Sequence, residues 1–248
     1  MKAMVLAAGL GTRLRPLTDE RPKALVEIGG RTLLEITLTR LREFGVQEVI
    51  VNVHHLADRI TEYLKVRGNF GMRVEVSYEE VLLDTGGGLK KAGWFFLENG
   101  GRLHEPFLLH NVDVISAIDI GAMVETHKKN GALATLAVQK REASRQLLFD
   151  GDSQLCGRRA GRNAAREVVR GVGEELEALA FTGIHVISPR FLTMMTEAGV
   201  FSIINTYLRL AAGEEIRGYR ADGFYWRDLG KPEQLKQAEE DCRQGLFA

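Results

Sequence analysis

The chain has 248 residues, of which 45% are hydrophobic and 27% are charged, as in an ordinary globular protein. Its 33 basic residues balance 33 acidic ones, so the net charge does not indicate binding to nucleic acid or to an anionic membrane. Cys156 and Cys242 lack disulfide or metal-site spacing, and no apolar run reaches the roughly 20 residues of a membrane span. We therefore expect a soluble, reduced, cytoplasmic protein.

In the first part of the chain, short apolar runs alternate with segments of helical periodicity. The apolar runs predict strands over 2–8, 48–53, 72–78, 106–113 and 132–138. The intervening segments predict helices over 32–45, 57–68, 86–100 and 119–131, the last with Asp119 as its N-cap. This alternation predicts a mainly parallel sheet with helices on both faces, in which ligands bind beyond the carboxyl ends of the strands.

The pattern weakens between 151 and 173, where apolar residues are few. We predict a variable hairpin or flap over about 140–175. Regular order returns with a strand over 180–187, a helix beginning at Pro189, a helix over 203–213, strands over 215–221 and 224–230, and a closing helix from Pro232. Because no repeat or linker is present, we predict a single domain over 1–248.

A glycine-rich and basic stretch, MVLAAGLGTRLRPLTDERPKAL, follows the first predicted strand. It is not a dinucleotide fingerprint, because Leu14 occupies the third glycine position, and it lacks the lysine of a P-loop after Gly11. A basic surface turn is one interpretation. The other is a phosphate cradle, in which backbone N–H groups close around phosphate oxygens, Arg13 supplies a bidentate fork and Lys23 a compact charge.

Two aspartates come where predicted strands end, Asp113 in PFLLHNVD and Asp228 in FYWRDLG. Chemistry on phosphate groups calls for a hard cation, and Mg²⁺ typically takes one or two protein carboxylates together with substrate phosphates. Taken alone, an aspartate at a strand end is more often a helix cap or a turn former. If the basic stretch binds phosphate, the two aspartates are candidate ligands of such a cation.

The stretch LAAGLGTRLRPLTDERPKAL resembles the signature of the sugar-phosphate nucleotidylyltransferases, L-A-A-G-x-G-T-R-L-x-P-L-T-x-x-x-P-K-x-L, at every fixed position. The resemblance implies a three-layer α/β/α Rossmann-like fold with a mainly parallel mixed sheet. It also implies Mg²⁺-dependent transfer of a nucleoside monophosphate from an NTP to a sugar 1-phosphate, with release of pyrophosphate. The partners implied are these two substrates, with no nucleic acid and no membrane.

The resemblance also implies roles for individual residues. The triphosphate is expected at Gly11, Thr12 and Arg13, and Lys23 is expected to stabilise charge on the α-phosphate. The metal ligands of the family fall on Asp113 and Asp228. Two departures stand beside them: Val112 replaces a glycine of the family, which alters how the backbone at Asn111 meets the ribose, and Lys231 replaces a threonine.

For the nucleoside, the family places a glycine loop against the base and ribose, which implies contacts from Gly87 and Gly88. Backbone contacts are expected from the other side, at Leu6, Ala8 and Gly9. The segments AFTGIHVISP and WRDLGKPEQL resemble the acceptor side of the family and imply contacts from Thr182, Gly183 and Trp226. The Glu-Lys-Pro motif that binds the sugar in many relatives is absent.

The base and the acceptor stay open at this point. Uridylyl transfer to an amino-sugar 1-phosphate leads, followed by guanylyl transfer to mannose or heptose 1-phosphate and by cytidylyl transfer to phosphocholine. A nucleotide-sugar sensor without turnover is a further alternative. The arginines of the weak segment form a solvated basic loop or a flap over an acidic sugar phosphate; they are Arg158, Arg159, Arg162, Arg166 and Arg170. The oligomeric state is not predicted.

Overall fold

A computed structural model describes residues 1–98, 105–160, 165–171, 173 and 175–247 of the chain. The parallel part of its main sheet consists of β1 (Lys2–Leu6), β4 (Glu48–Val53), β5 (Arg73–Tyr78) and β6 (Phe107–Asn111). These four strands lie in the order β6-β1-β4-β5, with Met4 of β1 in register with Ile50 and Leu109. Their carboxyl ends therefore meet at one edge of the sheet.

The other part of the main sheet is mostly antiparallel. It consists of β8 (Ala134–Gln139), β9 (Arg145–Phe149), β10 (Leu155–Ala160), β11 (Arg166–Val168), β12 (Glu177–Ile187) and β13 (Ile216–Arg220). β12 pairs with β6, β8 and β9, and its register with β8 shifts between Phe181 and His185, where Gly183 has a φ of +85°. Within the described residues, the two parts form one ten-stranded mixed sheet.

Two short ladders complete the strands. β2 (Glu27–Ile28) pairs with β3 (Arg31–Thr32), and β7 (Val114–Ser116) pairs with β14 (Trp226–Asp228). The helices are α1 (Leu33–Glu43), α2 (Ala57–Val66), α3 (Asp84–Leu97), α4 (Ile120–Asn130), α5 (Arg190–Thr193), α6 (Ile203–Ala211) and α7 (Pro232–Arg243). As predicted, Asp119 caps α4, since its Oδ1 accepts a hydrogen bond from Ala122 N at 2.9 Å.

Hydrophobic side chains pack against both faces of the sheet. Alternate residues of β1 face opposite sides, so that Ala3 and Val5 join a core with α1, α2 and α4, whereas Met4 joins a core with α3, α5 and α6. His185 is fully buried, and its Nδ1 lies 2.7 Å from the hydroxyl of Tyr207, a residue of the second core. The predicted α/β fold with a mixed sheet and helices on both faces is confirmed.

The segment that the sequence left as a hairpin or flap is a set of strands, β9 to β11, that extends the sheet. Its apolar residues are few because this end of the sheet is partly exposed: the last residues of β10 and all of β11 face solvent at least in part. Among the described residues, no helix combines the length and the apolar character that crossing a membrane requires.

Candidate active site

A cavity of about 530 Å³ opens at the carboxyl ends of the parallel strands. Leu6 ends β1, Asn111 ends β6, Asn52 lies near the end of β4, and Glu79 follows β5; all four line the cavity. The glycine-rich segment from Ala8 to Arg13 forms another wall. The cavity thus lies where ligands bind in open α/β sheets.

The glycine-rich loop is held in shape by Gly11. This residue has a φ of +65°, and a Cβ on it would lie 2.9 Å from Thr18 Cγ2. Its carbonyl oxygen accepts hydrogen bonds from Thr18 Oγ1 and Leu14 N, both at 2.8 Å. Only glycine combines this backbone conformation with so close an approach. The loop residues predicted to bind nucleotide all line the cavity, namely Leu6, Ala8, Gly9, Gly11 and Thr12.

The basic side chains of this stretch separate into two groups. Arg15 and Arg21 are exposed and form surface ion pairs, with Asp19 at 3.2 Å and with Glu27 at 3.7 Å. Arg13 lines the cavity, and among the residues that the structure describes no carboxylate oxygen lies within 4.0 Å of it. An uncompensated guanidinium that faces a cavity is suited to bind an anion.

Lys23 and Asp113 form an ion pair inside the cavity. The Lys23 side chain is 9% exposed, and its Nζ contacts Asp113 Oδ2. Asp113 is brought close to Asp228 by the ladder of β7 and β14, in which Asp228 is in register with Val114. The carbonyl of Asp113 also accepts a hydrogen bond from Leu229 N at 2.8 Å. Two aspartates that are distant in the chain are therefore neighbours in space.

Gly230 lines the cavity and lies against both Arg13 and Asp228. Its N–H donates to Asp228 Oδ1 at 2.7 Å. A Cβ at this position would lie 2.6 Å from Arg13 Nη2 and 2.8 Å from Asp228 Oδ1. Both predicted groups therefore converge on the same residue, at the same mouth of the cavity as Lys23.

The oxygen atoms at this mouth fit a magnesium ion. Asp113 and Asp228 supply carboxylates, and the buried Oδ1 of Asn111 has no hydrogen-bond partner among the described residues. Mg²⁺ prefers such hard oxygen ligands and completes its shell with phosphates and water. Within the described part of the chain, no group of three or more His, Cys, Asp or Glu side chains could hold a metal by itself. A Mg²⁺ ion held here would take its remaining oxygen ligands from phosphates or water.

A buried polar network forms the side of the cavity next to β4 and β5. Ala7 N donates to Asn52 Oδ1 at 2.7 Å, and Asn52 Nδ2 donates to Glu79 Oε1, also at 2.7 Å. The other oxygen of Glu79 accepts from Leu83 N at 2.9 Å. The sequence analysis missed Asn52 and Glu79. A polar residue at the end of an apolar strand, and a carboxylate directly after the next one, were the available signals.

Gly87 and Gly88 lie elsewhere than on the loop expected from the family. Both are buried in the first turns of α3, whereas Asp84 and Thr85 line the cavity. A Cβ on Gly87 would lie 2.5 Å from Gly199 O, and one on Gly88 would lie 2.7 Å from Glu79 Oε1. Close packing explains these glycines in this structure, and their contact with the nucleoside stays a prediction.

Val112, the residue that replaces a family glycine, does not require an unusual backbone. It is buried, lines the cavity and does not adopt a positive φ. Its N–H donates to Leu6 O at 3.1 Å, which ties the end of β6 to the end of β1. Asn111 therefore keeps its place at the cavity without glycine at the next position.

The three residues expected at the acceptor lie next to the cavity rather than on its wall. Thr182 is buried, and its hydroxyl donates to Ala137 O at 2.8 Å. The carbonyl of Thr182 accepts from Trp226 Nε1 at 2.8 Å. At Gly183, a Cβ would lie 2.7 Å from Asn111 Nδ2. The structure thus places Gly183 beside Asn111 and Trp226 against the backbone of Thr182, and contact of the three residues with a substrate stays a prediction.

The arginines of the β10–β11 segment are mostly engaged on the surface. Arg158 forms an ion pair with Glu167 at 2.7 Å, and Arg170 forms one with Glu215 at 3.7 Å. Arg159 Nη2 donates to the neutral Gln146 Oε1 at 2.8 Å. Arg166 begins β11 and is exposed, and Arg162 lies outside the described residues. This placement favours the interpretation as a basic surface for Arg158 and Arg170.

Comparisons with known proteins agree with this geometry. Residues 2–147 match the family model for nucleotidyl transferase. The chain is 35% identical to N-acetylmuramate alpha-1-phosphate uridylyltransferase from Caulobacter vibrioides, over 96% of this chain and 95% of that protein. It is 30% identical to mannose-1-phosphate guanyltransferase from Yarrowia lipolytica, over 94% of this chain but only 61% of that longer protein.

A solved structure, that of HddC from Yersinia pseudotuberculosis complexed with GMP-PN, shares the fold. Its TM-score is 0.76 at 22% identity, and the match covers 97% of this chain and 99% of that one. The family model covers more than half of the chain, and the uridylyltransferase is matched along almost its full length. The chain belongs to the sugar-phosphate nucleotidyl transferase family.

Proposed function

We propose that the protein transfers a uridylyl group from UTP to an amino-sugar 1-phosphate, which gives a UDP-sugar and pyrophosphate. The observation that carries the proposal is that Arg13, Lys23 and Asp113 line one cavity beside a glycine-rich loop, with Asp228 adjacent to the Asp113 segment and to Gly230 of the cavity wall. The similarity to the Caulobacter vibrioides protein supports uridylyl transfer and makes N-acetylmuramate 1-phosphate the first acceptor to test.

The triphosphate is proposed to lie against the glycine-rich loop. Backbone N–H groups in such a turn form a concave site for phosphate oxygens. Arg13 adds a guanidinium that no carboxylate of the described residues neutralises within 4.0 Å. Lys23 lies deeper, and its flexible stem allows the ammonium group to move from Asp113 to the α-phosphate.

Mg²⁺ is proposed as the cofactor. Asp113 and Asp228 would hold it, with Asn111 Oδ1 as a further oxygen donor in the same cavity. When bound, the metal supplies positive charge that neutralises phosphate oxygens. The two aspartates are suited to this role because the β7–β14 ladder fixes them next to each other.

The reaction needs no protein base. An oxygen of the acceptor phosphate, already ionised near neutral pH, attacks the α-phosphorus and forms the new P–O bond. The bond between the α-phosphorus and the bridging oxygen breaks, and pyrophosphate leaves with that electron pair. Arg13 and Lys23 stabilise the negative charge that redistributes over the phosphate oxygens.

A substrate panel tests the proposal. The protein is incubated with Mg²⁺, each of four NTPs and several sugar 1-phosphates, and pyrophosphate and NDP-sugar are measured. The expected result is highest turnover with UTP and N-acetylmuramate 1-phosphate. Higher turnover with GTP and mannose or heptose 1-phosphate would show that the protein transfers a guanylyl group and not a uridylyl group. Nucleotide binding without pyrophosphate from any pair would identify a sensor and overturn the enzymatic proposal.

A further inference from the structure

Arg141 lies next to Trp226 and Phe181, outside the wall of the first cavity, in a position that the reaction described above does not use. It follows β8, and its guanidinium stacks on Trp226, with Cζ 3.7 Å from the ring centroid. Its Nη2 donates to Phe181 O at 3.0 Å. Arg141 also lines a second cavity, of about 760 Å³, between the β8–β9 connection and β12. Stacking and one hydrogen bond therefore fix the plane of the guanidinium beside open space.

The positive charge of Arg141 has no counterion in its immediate surroundings. Among the described residues, no carboxylate oxygen lies within 4.0 Å of it, and its Nε is buried without a hydrogen-bond partner. Burial lowers the pKa of Arg141, and the charge of Asp228 acts in the opposite direction. Since arginine stays protonated in proteins, this is a held cation with an unsatisfied donor. Such a group is suited to a ligand that brings an anion.

A short chain of contacts joins Arg141 to the nucleotide cavity. Trp226, on which Arg141 stacks, is on β14 two positions before Asp228, and its Nε1 donates to Thr182 O. The next residue, Gly183, packs against Asn111, which lines the nucleotide cavity. The contacts of Arg141 therefore lead to Asp228 along β14, and to Asn111 through Thr182 and Gly183.

We propose that Arg141 binds the 1-phosphate of the acceptor sugar and aims its oxygen at the α-phosphorus. The proposal rests on the proposed function, because it assigns the second substrate of the same site. The fixed plane of the guanidinium presents a fork that matches phosphate geometry. The second cavity provides room for the sugar ring beside it. A carboxylate carried by the sugar is the rival anion for the same fork.

The test compares Arg141→Gln, Arg141→Lys and the wild-type protein, with Arg243→Gln as a matched control. Arg243 is an exposed arginine of α7 whose side chain is 73% accessible and pairs with Glu240. Binding of each sugar 1-phosphate and of UTP is measured by calorimetry, and kcat and KM are measured for each substrate separately. Thermal unfolding establishes that each variant is folded.

Arg141→Gln is expected to raise Kd and KM for the acceptor roughly tenfold or more, since a charge-assisted hydrogen bond is lost. The Kd for UTP is expected to stay within about twofold, Arg141→Lys to recover part of the loss, and Arg243→Gln to match wild type. Unchanged acceptor binding in Arg141→Gln, or an equal loss of UTP binding, would overturn the proposal.

A pair of acceptors separates the phosphate from a sugar carboxylate. N-acetylglucosamine 1-phosphate lacks the lactyl carboxylate of N-acetylmuramate 1-phosphate but has the same phosphate. An equal loss with both acceptors is expected, and a loss confined to N-acetylmuramate 1-phosphate would overturn the assignment to phosphate. Two measurements separate the Arg141 proposal from the proposed function. Absence of turnover by the wild-type protein contradicts the proposed function, whereas calorimetric binding of the acceptor tests the role of Arg141 without requiring turnover.

Discussion

Lys23 Nζ contacts Asp113 Oδ2 across 90 positions of the chain, inside the cavity at the carboxyl ends of the parallel strands. The pair joins a cation from the glycine-rich segment to a carboxylate that follows β6. Each group neutralises the charge of the other in this structure. Both side chains are largely screened from solvent, so this ion pair lies where electrostatic interactions are strong.

Replacing Lys23 tests its role in the transfer step. Lys23→Ala is expected to lower kcat by about 10² to 10³, because a positive charge aimed at the α-phosphate is lost. Arg21→Ala serves as the control, since Arg21 is an exposed residue that pairs with Glu27 at 3.7 Å. Steady-state rates and thermal unfolding are measured for both. Substantial turnover by folded Lys23→Ala would contradict the role given to Lys23.

Replacing the aspartates tests the proposed metal site. Asp113→Asn and Asp228→Asn are each expected to raise the Mg²⁺ concentration that gives half-maximal rate, because a carboxylate ligand becomes a neutral amide. Each is also expected to lower turnover by at least about 10². Asp222→Asn is the control, because Asp222 forms a surface ion pair with Arg220 at 2.8 Å. The rate is followed against Mg²⁺ concentration. Identical Mg²⁺ curves for wild type and both site variants would place the metal elsewhere.

Two glycines of α3 give a matched pair for stability. A Cβ on Gly88 would lie 2.7 Å from Glu79 Oε1 and 2.9 Å from Asn52 Nδ2, whereas a Cβ on Gly93 would meet Leu192 at an ordinary 3.8 Å. Gly88→Ala is expected to lower the free energy of unfolding by about 1–3 kcal/mol through overpacking. Gly93→Ala is expected to leave it unchanged or to raise it by up to about 1 kcal/mol. Urea unfolding measures both, and equal effects would refute the steric explanation.

A buried histidine predicts a pH dependence of stability. His127 lies within hydrogen-bond distance of Thr135 Oγ1, at 2.9 Å, and Ser188 Oγ, at 3.1 Å, and burial lowers its pKa to about 4. Its pKa in the unfolded chain is near 6.5. Between these values the unfolded state binds the extra proton, so the stability that this group contributes is full above about pH 6.5 and is lost as the pH falls towards 4.

Urea unfolding between pH 7 and pH 4 measures this contribution. The wild-type protein is expected to lose about 3 kcal/mol through His127 over that window, and His127→Gln is expected to show a correspondingly shallower slope. His55→Gln is the matched control, because it removes an exposed histidine and leaves the buried one in place. Parallel pH curves for wild type and His127→Gln would show that His127 does not titrate in this way.

Much of the fold and the centre of the candidate site could be predicted from the sequence. Continuous apolar runs marked β1, β4 and β6 because these strands are buried on both faces, and the glycines after β1 marked the loop. Gly11 adopts a positive φ, and a glycine at such a turn can be recognised from the sequence because other residues rarely adopt this conformation. Asp113 and Asp228 could be singled out because both come where predicted strands end, and ligands bind beyond the strand ends of such a sheet.

What the sequence did not indicate depends on contacts between distant segments. Arg141 is held by the ring of Trp226 and the carbonyl of Phe181, and Glu79 is held by Asn52 and Leu83. The glycines at 87 and 88 looked like a loop, but close approach to Gly199 and Glu79 explains them within a helix. The sequence left a hairpin and a flap as alternatives over β10 and β11, because partly exposed strands at the end of a sheet carry few apolar residues.

The most direct measurement of the central claim is the fate of labelled phosphate. UTP labelled at the α-phosphorus, or separately at the γ-phosphorus, is incubated with Mg²⁺, the protein and N-acetylmuramate 1-phosphate, and the products are separated. Attack at the α-phosphorus predicts α-label in the UDP-sugar and γ-label in pyrophosphate. Transfer of the γ-label to the sugar, or nucleotide binding with no label transferred, would contradict the account.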